Sequence, residues 1–193
     1  MKLHSSYPDT LPDAWNNLGV IATREGRIDD SVRCFQEALR LSPRHLLTLD
    51  NLGNAFRLQK SWDDARRTLE QALQVSPDDP EANYSLGMVF AQADDTARAY
   101  EYLQRALKAR PVYPEALNNL GVLYLNTQRR DQAVASFDEC IRVAPAFDQA
   151  YLNLARVYVL EGLRDKARGV LLDLLKQSPD HPMAKQMLEQ LHE

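Results

Sequence analysis

A spacing of 34 residues runs through most of the chain. Five prolines keep it without an insertion, and they are Pro43, Pro77, Pro111, Pro145 and Pro179. A small residue stands 24 places before each proline, and these small residues are Gly19, Gly53, Gly87, Gly121 and Ala155. A large apolar residue stands 16 places after each small one, and this set is Phe35, Leu69, Leu103, Phe137 and Leu171. A fixed period of this length predicts a stack of similar supersecondary units, which we number repeats 1 to 5.

Each repeat contains two amphipathic halves. In repeat 3 the apolar residues Ala82, Leu86 and Val89 follow helical spacing, and the pattern breaks near Asp94 before it resumes. The recurring proline ends the second half because it has no N–H and disfavours α geometry in the residue before it. Other prolines fall in the first turn of the following helix, where a missing N–H is tolerated, and they are Pro12, Pro80, Pro114 and Pro182. The sequence therefore predicts an all-α chain of antiparallel helical hairpins.

Repeat 1 has the fullest set of landmark residues, which are Trp15, Leu18, Gly19, Ser31, Phe35, Ala38 and Pro43. This set, at this period, resembles the tetratricopeptide repeat (TPR). The resemblance implies a right-handed superhelix, an α-solenoid in which the first helices of the hairpins line a concave groove. The predicted repeats span 12–45, 46–79, 80–113, 114–147 and 148–181, with an N-terminal extension over 1–11 and a C-terminal capping helix over 182–193.

The first hairpin has no preceding repeat to cover its outer edge. We expect Leu3, Tyr7 and Leu11 to fold over this edge, or the edge to be tolerated. The alternatives are an array cut from a longer protein and a homo-oligomer through the N-terminal edge. A molecular mass that does not change with concentration would exclude the oligomer.

The composition argues against several classes of partner. The formal net charge is −4, whereas a nucleic-acid-binding protein needs a basic face to displace counterions from phosphates. No apolar run approaches the roughly 18 residues of a membrane span, and the N-terminal residues lack the apolar core of a secretory signal. Cys34 and Cys140 are too few for a disulfide framework. We therefore expect a soluble, cytoplasmic protein with no nucleic-acid partner and no membrane span.

No motif for catalysis, for a metal or for a cofactor stands out. The histidines lack further metal ligands at close spacing, and acidic pairs such as Asp94 and Asp95 fall at helix starts, where they complement the helix dipole. Cys34 has no histidine partner nearby in sequence, and Cys140 takes a small core position that alanine fills in three other repeats. We expect no enzyme activity, no bound metal and no cofactor.

A leucine precedes the small residue of every repeat, and in four of the five repeats an asparagine precedes that leucine. These asparagines are Asn17, Asn51, Asn119 and Asn153. Helix propensity does not explain this preference, because asparagine is a mediocre helix former. Its amide offers donors and an acceptor that match the N–H and C=O groups of an extended peptide. We predict that these asparagines bind a peptide in the groove. The alternative is that they form hydrogen bonds with neighbouring helices or with water.

The asparagine one place earlier, Asn16 or Asn118, forms no such series, since Asp50, Tyr84 and Leu152 replace it in the other repeats. We therefore assign Asn16 and Asn118 no role in binding. The further residues predicted to line the groove are Asn54, Arg57, Tyr84, Met88, Val122 and Arg156.

These residues predict a protein-interaction scaffold or adaptor that binds an extended peptide segment. Apolar groove residues suit anchoring side chains, and acidic residues along one side favour a partner with some positive charge. TPR domains that clamp a C-terminal carboxylate use lysines and arginine, but Asn16, Glu81 and Ser85 stand at those places, so chaperone tails are not supported. The alternatives are the substrate-recognition TPR region of a larger enzyme, similar to a glycosyltransferase, and a self-assembling scaffold.

Overall fold

The computed structural model of the chain describes residues 10–192, which form eleven α-helices and, within that range, no strand. The helices are α1 (Thr10–Arg24), α2 (Ile28–Leu41), α3 (Leu46–Leu58), α4 (Trp62–Val75), α5 (Pro80–Gln92), α6 (Thr96–Ala109), α7 (Pro114–Asn126), α8 (Arg130–Val143), α9 (Asp148–Leu160), α10 (Arg164–Gln177) and α11 (Pro182–His192).

Three helix starts that prolines predict agree with the structure. Pro80, Pro114 and Pro182 are the first residues of α5, α7 and α11, as their missing N–H predicts. One boundary differs, because α1 begins at Thr10 and the predicted extension over 1–11 is therefore helical at its last two residues. Leu3 and Tyr7, expected to cover the first hairpin, lie outside the described residues, and Leu11 is half exposed.

The helices form two compact units. The N-terminal unit ends at Ala109 and contains α1 to α6, and the C-terminal unit begins at Arg110 and contains α7 to α11. Within each unit, an odd-numbered helix packs mainly on the even-numbered helix that follows it, and α11 packs on α10. The first helices of consecutive repeats also contact one another, α1 with α3 and α3 with α5 in one unit, and α7 with α9 in the other.

The small residue of each repeat allows the two helices of a pair to approach closely. A Cβ atom added to Gly53 would lie 2.5 Å from Cγ of Leu69, and one added to Gly121 would lie 2.5 Å from Cε1 of Phe137. Both distances are far inside van der Waals contact, so the glycine and the large residue 16 places later fill one space. This confirms the packing that the alternation of small and large residues predicts.

The turn inside every repeat contains one residue with left-handed backbone geometry. These residues are again 34 apart and have φ angles of 75° at Gly26, 60° at Lys60, 56° at Asp94, 61° at Gln128 and 74° at Gly162. Only two of the five are glycines, the residue that adopts this conformation without steric cost. Three repeats thus keep the turn geometry with a side chain present.

Candidate functional site

The predicted groove residues lie on the first helices of the pairs. In the N-terminal unit, Asn17 is exposed, and the half-buried residues are Asn51, Asn54, Arg57, Tyr84 and Met88. In the C-terminal unit, Asn119 and Val122 are half-buried, Arg156 is exposed and Asn153 is buried. The helices that carry these residues contact one another within each unit, α1 with α3, α3 with α5, and α7 with α9. All but Asn153 keep part of their surface accessible.

In the N-terminal unit, Asn51 bonds to the asparagine to which the sequence assigned no role. Its Nδ2 donates a hydrogen bond of 2.9 Å to Oδ1 of Asn16 on α1, and the hydroxyl of Thr48 donates a second one of 3.1 Å to the same oxygen. Asn16 is only 2% exposed, so water cannot replace these two donors at its side-chain oxygen Oδ1. The amide of Asn51 therefore joins α3 to α1, and one of its two N–H donors is engaged.

The same bridge recurs in the C-terminal unit. Nδ2 of Asn153 donates a 2.9 Å hydrogen bond to Oδ1 of Asn118, and Nε2 of Gln149 donates a 3.2 Å bond to Oδ1 of Asn153. Asn153 is 6% exposed, and both ends of its amide are engaged inside the unit. The structure thus supports a role in joining neighbouring helices for Asn51 and Asn153.

A sequence signal for this bridge exists in the spacing. Asn16 precedes Asn51 by 35 residues, and Asn118 precedes Asn153 by the same number. Asn16 lies in repeat 1 and Asn118 in repeat 4. In each case the next repeat belongs to the same unit and supplies the partner, Asn51 or Asn153. A comparison of the same position in every repeat does not find this pairing, because the two asparagines of a bridge occupy different positions in consecutive repeats.

Replacing Asn153 with alanine is expected to lower the free energy of unfolding by about 1–2 kcal/mol, because Oδ1 of Asn118 loses its donor while it stays buried. Asn17→Ala is the matched control, since Asn17 occupies the same repeat position and is exposed. We expect it to change stability by less than about 0.5 kcal/mol. Urea unfolding of both variants would check this, and an unchanged midpoint for Asn153→Ala would contradict the bridge.

Asn54 and Arg57 form a second polar pair on α3. Nε and Nη2 of Arg57 donate hydrogen bonds of 3.2 and 2.7 Å to Oδ1 of Asn54, which holds the guanidinium against the amide. Nδ2 of Asn54 has no partner among residues 11–191, and the residue is half-buried. Both N–H groups of Asn54 thus remain for another molecule, whereas Asn51 and Asn153 each use one of theirs in a bridge.

Asp50 interrupts the series of bridges in the N-terminal unit. Asp50 occupies in repeat 2 the position that Asn16 has in repeat 1. The donors to Asn16 are Thr48 and Asn51, and the corresponding residues of repeat 3 are Ala82 and Ser85. Alanine has no donor and the serine side chain is shorter than that of asparagine. Oδ1 of Asp50 is buried and has no hydrogen-bond partner in the part of the chain that the structure describes.

The surroundings of Asp50 favour its neutral form. Burial, together with the negative charges of Asp79 and Glu81, raises the pKa of Asp50 to about 8. Near pH 7 the folded protein therefore holds a protonated carboxyl group on α3, the helix that also carries Asn51 and Asn54. The group becomes charged when the pH rises above this pKa or when a cation approaches it.

The structure supports a packing role for the buried cysteine. Cys140 is fully buried, and its Sγ donates a 3.3 Å hydrogen bond to the carbonyl oxygen of Pro114. Burial raises the pKa of this thiol to about 11, so it stays protonated and unreactive at neutral pH. The predicted role of acidic residues at helix starts is also found, since Asp79 accepts a 2.8 Å hydrogen bond from the N–H of Ala82.

Within residues 10–191, no cluster of three or more histidine, cysteine, aspartate or glutamate side chains could hold a metal ion. None of the helices between Thr10 and His192 is long and apolar enough to cross a membrane.

The chain is similar to known proteins in sequence pattern and in fold. Models of the tetratricopeptide repeat match residues 10–78, 51–114, 90–139 and 131–191. The MamA protein is 26% identical, with 89% of this chain and 93% of that chain covered and a TM-score of 0.71. No curated protein sequence matches significantly.

Two further solved structures share the fold at lower identity. YrrB, described as a TPR protein with an unusual peptide-binding site, is 22% identical over 97% of this chain and 95% of its own, with a TM-score of 0.69. The protein pilF of Pseudomonas aeruginosa is 21% identical over 88% of this chain and 77% of its own, with a TM-score of 0.80. With its period, its paired helices and these matches, the chain belongs to the tetratricopeptide repeat family and has an all-α helical-repeat fold of the solenoid class.

Proposed function

We propose that this chain is a protein-interaction scaffold that binds an extended peptide segment along the face formed by its first helices. The observation that carries the proposal lies in the N-terminal unit, where Asn54, Arg57 and Met88 are half-buried on the contacting helices α3 and α5. Nδ2 of Asn54 can donate to a peptide carbonyl, and Met88 offers a deformable apolar contact for a side chain. YrrB, which shares the fold, is described as having a peptide-binding site.

The remaining predicted contacts extend this face in each unit. In the N-terminal unit, Tyr84 is half-buried and adds an aromatic surface, and the donors of Asn17 lie on the exposed side of α1. In the C-terminal unit, Val122 and Asn119 on α7 and Arg156 on α9 are accessible. Asn51 and Asn153 contribute indirectly, by fixing the first helices on which the contacts lie. We propose that the binding face is divided among the five repeats and the capping helix with the boundaries that the sequence predicts.

The charge of the face favours a partner with some positive charge at the N-terminal unit. The acidic residues Asp13 and Glu81 are exposed on the first helices α1 and α5 of that unit, and the protonated Asp50 lies on α3. A lysine or arginine side chain near Asp50 would stabilise its charged form, and the buried Oδ1 would gain a donor. The proposed partner is therefore an extended segment with apolar anchors and a basic residue, bound without catalysis, as is typical of TPR proteins.

Peptide selection is the direct test of this function. A library of displayed random peptides is selected against the full chain, and the strongest binder is labelled for fluorescence anisotropy. We expect Asn54→Ala and Met88→Ala to weaken binding about 5- to 30-fold, the effect of losing a contact worth 1–2 kcal/mol. Their matched controls are Gln71→Ala and Gln104→Ala, which change exposed residues on the second helices α4 and α6.

The controls are expected to keep the wild-type dissociation constant, and all four variants to keep the wild-type melting temperature. Equal affinities for the Asn54 and Gln71 variants would rule out the proposed face. Asn54 is a better choice than Asn153, because a loss of binding in Asn153→Ala would also follow from the broken bridge to Asn118.

A further inference from the structure

A small apolar pocket lies in the C-terminal unit between the end of α9, the start of α10 and the helix α11. Its volume is about 300 Å³, and its apolar lining comes from Val159, Leu160, Met187 and Leu191. Val159 and Leu160 are 43% and 59% exposed, so two large side chains of α9 face water at its edge. This volume suits one or two bulky side chains and lies at the lower limit of small-molecule sites.

Two arginines line the same pocket, Arg156 from α9 and Arg164 from α10. Neither guanidinium has an ion pair or a hydrogen bond to another residue between 10 and 191. Several other arginines of the chain pair with a carboxylate on their own helix, as Arg142 does with Glu139 and Arg105 with Glu101. The pocket thus combines two arginines that have no such partner with exposed apolar side chains.

The sequence explains why Arg156 stays unpaired. Its neighbours three and four residues away on the helix are Asn153, Val159, Leu152 and Leu160, none of which is acidic. Arg164 begins α10, and the residues three and four places later are Ala167 and Arg168. Helical neighbours that would neutralise these charges are thus absent at both positions.

The charged side chains that line the pocket are both basic, whereas the chain has a formal net charge of −4. The segment 156–168, which supplies both arginines, contains four basic and two acidic side chains. A planar guanidinium binds a carboxylate through two parallel hydrogen bonds, and its weak hydration makes it suited to partly buried pairs. Charge and shape together favour an anionic group next to a bulky apolar one.

We propose that this pocket docks an acidic segment of a partner protein, with a leucine-like side chain in the apolar pocket and flanking carboxylates on Arg156 and Arg164. The inference rests on the proposed function and adds the chemistry of the partner at the C-terminal unit. There the preferred charge is negative, in contrast to the positive charge favoured beside Asp50 in the N-terminal unit. Each unit thus favours a segment of a different charge.

The experiment uses the full chain and a fluorescein-labelled peptide of sequence Gly-Asp-Leu-Leu-Glu-Gly. A first comparison peptide replaces the acidic residues with asparagine and glutamine, and a second replaces both leucines with alanine. We expect the acidic leucine peptide to bind, and each comparison peptide to bind about tenfold more weakly, the equivalent of about 1.4 kcal/mol. Raising the salt concentration from 50 to 500 mM should weaken the acidic peptide selectively.

The variants Arg156→Ala and Arg164→Ala are expected to weaken the acidic peptide about tenfold, down to the level of the neutral peptide. The matched control is Arg130→Ala, since Arg130 begins α8 at the repeat position that Arg164 has in α10, outside the pocket. All three residues are exposed, so the melting temperature should stay constant. Leu160→Ser should remove the preference for leucine over alanine.

Absence of binding by the acidic peptide, equal binding of the neutral peptide, or an equal effect of Arg130→Ala would overturn the inference. Competition by decanoate but not by unlabelled peptide would also overturn it and indicate a fatty-acid site instead. None of these outcomes touches the proposed function, because peptides selected on the face around Asn54 would still bind and would still depend on Asn54 and Met88.

Discussion

Replacing Gly121 with leucine is expected to lower the free energy of unfolding of the protein by about 3 kcal/mol, one of the two largest effects that the structure predicts. Even the first carbon of the new side chain would lie 2.5 Å from Cε1 of Phe137, and the ring of Phe137 is fully buried. Because neither group can move into solvent, α7 and α8 must separate. A differential scanning calorimetry trace should show a melting temperature lower by about 6–12 °C.

Gly169→Leu is the matched control for this effect. Gly169 lies in α10 of the same unit, but an added Cβ atom would have no heavy atom of another group within 4 Å. The substitution removes a poor helix former, so stability should stay constant or rise by up to about 1 kcal/mol. Equal melting temperatures for the two variants would contradict the close approach of α7 and α8.

The variant Asp50→Asn is expected to be more stable than the wild type at pH 9 by about 2 kcal/mol, after allowance for the partial exposure of this carboxyl. The wild-type protein must bury a carboxylate whose Oδ1 has no partner, and the neutral amide avoids that cost. The difference corresponds to about 4–8 °C in melting temperature for a chain of this size.

The sign of the pH dependence follows from the raised pKa. In the unfolded chain Asp50 loses its proton near pH 4, whereas in the folded protein its pKa is about 8. Between these values only the folded state holds the proton, so wild-type stability falls as the pH rises from about 4 to 8. Below this range the two proteins should differ least, and above it the difference should stay constant.

Thermal melts of both proteins from pH 5 to pH 9 measure this difference, and the comparison cancels every pH effect that the two proteins share. Asp78→Asn serves as the control, because Asp78 lies in the same unit and is exposed. Its melting temperature should follow that of the wild type at every pH. A constant difference between Asp50→Asn and the wild type across the range would disprove the burial of a neutral carboxyl.

The paired helices and their close contacts could be predicted from the sequence because they depend on side-chain size at a fixed period. Gly53 and Leu69 illustrate this, since a missing side chain and a bulky one at a constant distance have one simple packing solution. The starts of three helices were equally clear, because proline at the first position limits the backbone in a known way, as Pro114 does in α7.

The polar contacts were not predictable in the same way. Asn16 and Asn51 occupy different repeat positions, and their 35-residue spacing has a meaning only once the structure shows that α1 and α3 contact each other. The left-handed turn was also missed at Lys60 and Gln128, because a long polar side chain gives no sign of the positive φ that glycine would suggest. The pocket beside Arg156 depends on which residues of α11 lie opposite α9, and sequence spacing does not determine that.

The asparagine bridges also restrict the order in which such repeats can be joined. A repeat with an asparagine at the position of Asn16 or Asn118 must be followed by a repeat that supplies a donor, as Asn51 and Asn153 do. A successor like repeat 3, with Ala82 and Ser85 at the contact, would remove both donors that the buried carbonyl of Asn16 uses. Duplication or deletion of a whole repeat is therefore expected to cost stability at any new junction that leaves a buried amide oxygen without its donor.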